Sequence, residues 1–83
     1  MKELTLNIYN EKGEREFDYI EKDYANIQKQ FAELMFLKNV LKINYRMSTK
    51  TNYDGTYKVT FKDMGNGWKY EFDGINADKL RWY

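Results

Sequence analysis

Cysteine and histidine are both absent from these 83 residues. Without cysteine there is no disulfide and no thiolate metal site. Without histidine the common zinc, copper and iron ligand sets are gone too, so neither a metal nor a cofactor is expected. The same two absences remove the usual nucleophile–base pairs, leaving Ser, Thr, Lys, Tyr and carboxylates for any covalent chemistry. Ser48 is the sole serine and has no activating neighbour in sequence. Gly65-Asn66-Gly67 runs into Trp68 rather than into a Lys-Ser/Thr ending, so it is not a phosphate-cradling loop. No catalytic residue is assigned, and the chain is expected not to be an enzyme.

Long apolar runs are missing as well. The longest is Leu34-Met35-Phe36-Leu37, and no stretch of signal-peptide length follows Met1-Lys2-Glu3-Leu4. The expectation is a soluble, cytoplasmic protein with no membrane partner. One domain over 1–83 fits the length, and a chain this short buries only roughly 60–65% of its unfolded surface. Stability must then come from dense packing or from association. Aromatics form 18% of the chain, and each fully buried one contributes on the order of 1.5–3 kcal/mol.

What is present is a regular alternation. Tyr57, Val59 and Phe61 interleave with Lys58, Thr60 and Lys62, and Leu41, Ile43, Tyr45 and Met47 interleave with Lys42, Asn44 and Arg46. Successive strand side chains point to opposite faces, so each run has an apolar face and a cationic one. That pattern predicts an antiparallel sheet covered on one side.

The first pair of strands is predicted from Leu4-Leu6-Ile8 and from Glu14 to Ile20, around an Asn10–Gly13 turn. Asp23 is a candidate N-cap for a helix over about 24–38, marked by Tyr24, Ile27, Phe31, Leu34 and Met35, with Asn39 as a left-handed stop. Three strands follow: Val40 to about Met47, Thr56 to Asp63, and Trp68 to Phe72. A polar loop over Ser48–Gly55 separates the first two and Gly65-Asn66-Gly67 turns the last pair. Gly74 ends the final strand, and Asn76 could cap a short terminal helix reaching Tyr83. The predicted fold is α+β: ββαβββ, a four- or five-stranded antiparallel sheet with one main helix across its apolar face and a short C-terminal helix.

A near-neutral total charge of +1 hides a gradient. Residues 1–23 hold four Lys/Arg against seven Asp/Glu, whereas residues 38–69 hold seven against two. Three surface features are therefore candidates. The first is a basic stripe of Lys42, Arg46, Lys58, Lys62 and Lys69, with Lys50 in the loop, suited to a phosphate backbone. The second is Phe36, the residue that a single apolar helix stripe leaves outside. The third is the tyrosine excess, with Tyr9 on a polar phase and Tyr53 mid-loop beside Asn52. Tyr45, Tyr57, Phe61, Tyr70 and Phe72 fall on the phase opposite the lysines, which makes them core rather than a base-stacking platform.

The segment Leu4-Thr5-Leu6-Asn7-Ile8-Tyr9-Asn10-Glu11-Lys12-Gly13 resembles the first hairpin of small phage tail-assembly chaperones, from whose largely helical remainder this chain departs. In size, absence of cysteine, α+β layout and the Lys/Asn/Ile/Tyr bias of A+T-rich coding, the whole resembles small phage- or prophage-encoded inhibitors of host defence, anti-CRISPR proteins among them. That resemblance implies a non-catalytic module that docks on a larger host protein and blocks it. Tyr53, Phe36, Lys50, Asn52 and Tyr9 would supply the contacts. The alternatives are a small nucleic-acid-binding protein using Lys42, Arg46, Lys58, Lys62 and Lys69, and a homo-oligomeric assembly protein pairing through strand edges.

Overall fold

The computed structural model describes residues 2–76 and 78. Strands β1 (Thr5–Tyr9) and β2 (Arg15–Tyr19) form a hairpin. A short 3-10 turn at Glu21–Asp23 leads into helix α1 (Tyr24–Asn39), and β3 (Tyr45–Thr51), β4 (Tyr57–Asp63) and β5 (Lys69–Ile75) follow. All neighbours in the sheet are antiparallel, in the order β2-β1-β5-β4-β3. The predicted α+β class and the ββαβββ order match this arrangement. The predicted terminal helix lies outside the described residues.

Each element follows from local chemistry. In the β1–β2 turn the Asn10 side-chain oxygen accepts from the N–H groups of Lys12 (2.9 Å) and Glu14 (3.0 Å), which closes the loop on itself. In α1 the residues Ile27, Phe31, Leu34 and Met35 recur at helical spacing, and all four are buried. The inner sheet face contributes Leu6 and Ile8 from β1, Val59 and Phe61 from β4, and Phe72 and Ile75 from β5. Cross-strand register lines these up: Leu6 faces Phe72, which faces Val59, and Ile8 faces Tyr70, which faces Phe61.

At the centre three rings meet edge to face. Phe31 lies 5.7 Å from Phe61 and 5.1 Å from Phe72, and Phe61 lies 5.9 Å from Phe72, with interplanar angles of 78°, 86° and 83°. Such T-shaped contacts add to the area each ring buries. Tyr45, Tyr70, Met47 and Tyr19 pack around this trio. The rings expected inside are thus on the helix side, with Tyr57 on the same phase and half-buried.

Several boundaries differ from the sequence reading, each for a physical reason. Asp23 precedes α1 but makes no side-chain bond to its first turn. Its carboxylate accepts instead from the Ile20 N–H (3.2 Å), closing the 3-10 turn behind it. The left-handed residue after the helix is Lys42 (φ 59°), not Asn39, which is still helical. The strand predicted from Val40 begins only at Tyr45. The N–H groups of Val40 and Leu41 donate to the Phe36 carbonyl (2.8 and 3.3 Å), and that of Ile43 donates to Leu37 (2.9 Å). Helix-end carbonyls thus take the donors that a strand ladder would need.

Further on, β3 continues to Thr51, so the loop shrinks to a turn over 52–56, closed by Asn52 N–H donating to the Thr56 carbonyl (2.8 Å). Strand β5 runs through Gly74 to Ile75. Gly74 has φ 78°, and a Cβ there would collide with the Glu3 backbone carbonyl.

The packing predicts a sharp contrast. Phe31→Ala should cost about 3–5 kcal/mol, close to the whole stability of a small domain, whereas Phe36→Ala should stay within about 0.5 kcal/mol. Urea titration of both variants followed by circular dichroism checks this.

Candidate binding surfaces

With α1 across one face, the opposite face of the sheet carries only side chains. On β3 the outward residues are Arg46, Ser48 and Lys50, and on β4 they are Lys58, Thr60 and Lys62. Register sets Arg46 against Lys62, Ser48 against Thr60, and Lys50 against Lys58. Lys62 also faces Lys69 on β5, and Lys69 faces Tyr9 on β1. The Lys69 ammonium stands 4.7 Å above the centre of the Tyr9 ring, a cation–π contact on the open face. Glu71 takes Lys58 (3.2 Å) and Lys69 (3.7 Å). Among the described residues, no carboxylate pairs with Arg46, Lys50 or Lys62.

Most of the basic stripe expected from the sequence is therefore one surface: Arg46, Lys58, Lys62 and Lys69 share it. Lys50 joins them from the end of β3 rather than from a loop. Lys42 does not, because it lies in the helix–strand connection in a left-handed conformation.

A second surface is apolar. Phe36, Val40, Leu41 and Ile43 are 51%, 60%, 56% and 43% exposed. They gather where the chain folds back over the end of α1. Ala32, Met35, Phe36 and Val40 line a shallow groove of about 520 Å³ there, flanked by Lys29 and Glu33. Phe36 was legible as the helix residue left outside. Leu41 and Ile43 were missed, since their alternation reads as the buried phase of a strand. The one available signal was the density of apolar residues running from Leu34 through Ile43, more than one stripe can bury.

The third feature is the 52–56 turn. Tyr53 is fully exposed at its tip. Asn52, expected as a contact residue, is committed internally: its amide donates to Thr56 Oγ1 (3.0 Å) and to Asp73 Oδ1 (2.9 Å). Asp54 accepts from the Thr56 hydroxyl (2.6 Å), from the Thr56 N–H (3.0 Å) and from the Lys2 N–H. These bonds hold the Asp54 carboxyl down to about 2. At Asp73 burial pushes the carboxyl upward, but the Asn52 amide, Lys2 and the Gly74 N–H outweigh it and lower it. Lys2 Nζ is 3.1 Å from Asp73. A concavity of about 610 Å³ lies beside the turn, lined by Lys2, Lys50, Thr51 and Tyr53 among others.

No helix among the described residues is long and apolar enough to cross a membrane. Comparison with protein families, with curated proteins and with solved structures returns no match.

Because Asp54 is lowered in the folded state, its contribution is complete above its ordinary value of 3.8 and is lost as pH falls through about 2. Asp54→Asn should therefore lower the urea midpoint by a constant amount above about pH 4, with the gap to wild type closing toward about pH 2. Denaturation curves across that range test it.

Proposed function

We propose that the chain is a non-catalytic protein-binding domain that works by covering part of a larger partner. The observation that carries this reading is the apolar surface at the end of α1. Phe36, Val40, Leu41 and Ile43 leave about half of their surface or more in water within eight residues of sequence. Exposed apolar side chains scattered singly are ordinary, but four in one short stretch, two of them lining a groove, mark a contact surface. Covering apolar area at ~25 cal/mol per Å² gives such a surface its driving force.

Its position adds a second mode of contact. The residues lead directly into β3, which is an edge of the sheet. An edge strand offers unpaired N–H and C=O groups to an incoming extended segment. A partner could thus take the apolar residues as anchors and the β3 backbone as a ladder. Tyr53 lies at the far end of the same strand and presents the kind of large, rigid side chain that dominates protein contacts.

The non-catalytic part of the reading rests on residue chemistry. Histidine and cysteine are absent, and Ser48 faces Thr60 on the open sheet face rather than a base. A steric inhibitor of a host protein, acting in the cytoplasm, is the form suggested by the likeness to small phage-encoded inhibitors.

The test compares wild type with a Phe36→Glu, Val40→Glu double variant in affinity capture from a low-G+C bacterial lysate. A protein captured at physiological salt by wild type and lost with the double variant, at unchanged far-ultraviolet circular dichroism, is the expected result. Identical capture by both, or none by either, counts against the reading.

A further inference from the structure

The open face of the β3–β4 hairpin carries no acid. Its six outward residues are four cations and two hydroxyls, arranged as three facing pairs: Arg46 with Lys62, Ser48 with Thr60, and Lys50 with Lys58. Like charges directly opposite one another weaken a sheet. A face serving only for solubility would gain by setting a Glu or Asp beside each cation, and β5 does this once, where Glu71, facing Thr60, takes Lys58 and Lys69. Arg46, Lys50 and Lys62 have no such partner among the described residues. Two facing pairs of one sign, stacked along the same ribbon, suit an occupant that is itself a repeating anion.

We propose that this ribbon binds the sugar-phosphate backbone of a single-stranded nucleic acid, with the Tyr53 ring receiving a base at one end. This site shares Tyr53 and strand β3 with the protein-docking surface but does not involve the apolar residues at the end of α1.

Geometry supports each part. Residues 46 and 50 are four strand positions apart, roughly 13 Å at about 3.3 Å per residue. A stacked strand advances about 3.4 Å per phosphate, so the ribbon accommodates several in succession. Between the two cation pairs, the Ser48 and Thr60 hydroxyls are placed to donate to phosphate oxygens. Lys69 extends the row made by Arg46 and Lys62 by one more strand.

At the other end, the chain turns after Thr51 and leaves Tyr53 bare over a concavity that Lys2, Lys50 and the Asp54 carboxylate also line. An unobstructed ring beside a cation takes an unpaired base by stacking, which a duplex cannot offer. On the β5 side of the ribbon Glu71 faces Thr60 and is shared by Lys58 and Lys69, and Asp73 is held by Lys2 and Asn52. These acids, with Asp18 on β2, bound the cationic surface at β4. Because Phe61, Phe72, Tyr45 and Tyr70 are turned toward the helix, recognition is led by the backbone and indifferent to base sequence.

The experiment is fluorescence anisotropy with a labelled dT 12-mer, a 12-base-pair duplex and polyglutamate as competitor. Three phosphate contacts from the unpaired Arg46, Lys50 and Lys62, or five if Lys58 and Lys69 exchange Glu71 for phosphate, give a slope of about −2 to −3.5 in log affinity against log salt, at about 0.7 per contact for single strands. Affinity for dT should therefore fall between ten- and a hundredfold from about 50 to about 200 mM salt. Arg46→Gln with Lys62→Gln should weaken binding at least tenfold and reduce the slope by about 1.4, while Lys22→Gln with Lys38→Gln leaves both unchanged. Tyr53→Ala should weaken dT binding by roughly five- to a hundredfold, without altering any residual duplex binding. All four substituted glutamines are on exposed or helix-surface positions, and thermal melts confirm folding.

Absence of dT binding near 50 mM salt overturns the inference. So does wild-type affinity in the Arg46, Lys62 variant, a duplex bound as tightly as the single strand, or polyglutamate displacing dT at equal charge.

Discussion

One helix can cover one face of a sheet, and this chain has one helix among its described residues. At about 1.5 Å per residue the sixteen residues of α1 span about 24 Å, and five strands at about 4.8 Å spacing span about 19 Å. The helix is therefore just large enough to close one side. Phe31 fixes how it sits, because its ring meets Phe61 on β4 and Phe72 on β5 edge to face. With cysteine absent, that packing carries the stability that a disulfide would supply elsewhere. The other face is left to the solvent, and so are the helix's own outer side and both edge strands.

Each exposed surface then reflects a different kind of residue. The open sheet face is polar and divided: acids gather over β2 and β5, cations over β3 and β4. The Arg46–Lys62 pair works against the sheet, and Lys50–Lys58 does so less, because Glu71 takes Lys58. The helix end is apolar, and Phe36, Val40, Leu41 and Ile43 leave about half of their surface in water there. A surface that sets like charges together and a surface that leaves apolar area in water are two places, among the described residues, where this structure departs from what folding alone would select. The proposed roles are located at those two places.

Much of this was legible in the sequence where the local pattern and the tertiary environment agree. Residues 57–62 alternate without interruption, and both β4 faces came out as the alternation required. The α1 stripe of Ile27, Phe31, Leu34 and Met35 was equally direct. The pattern misled where two periodicities adjoin. Leu41 and Ile43 continue the alternation of Tyr45 and Met47, yet their N–H groups belong to the helix-end carbonyls, so they never enter the ladder. Lys42 left the basic face for the same reason. Asp23 has the chemistry of a helix cap but bonds backward to Ile20, a choice made by the geometry of the preceding turn. Lys50 reads as loop because Ser, Thr, Lys and Asn favour no single state, and only pairing with Tyr57 to Thr60 makes that stretch a strand. The cross-strand facing of cations could not be read at all, since register depends on a turn length that propensity does not give.

The open face sets unpaired cations against one another because the helix covers only the opposite side. Charge reversal at Lys62 probes this directly, since that residue faces Arg46 on one side and Lys69 on the other. Urea denaturation of Lys62→Glu should show a higher midpoint than wild type at low salt, with the advantage fading as ionic strength rises. A lower midpoint at low salt, or a difference unaffected by salt, would contradict the account.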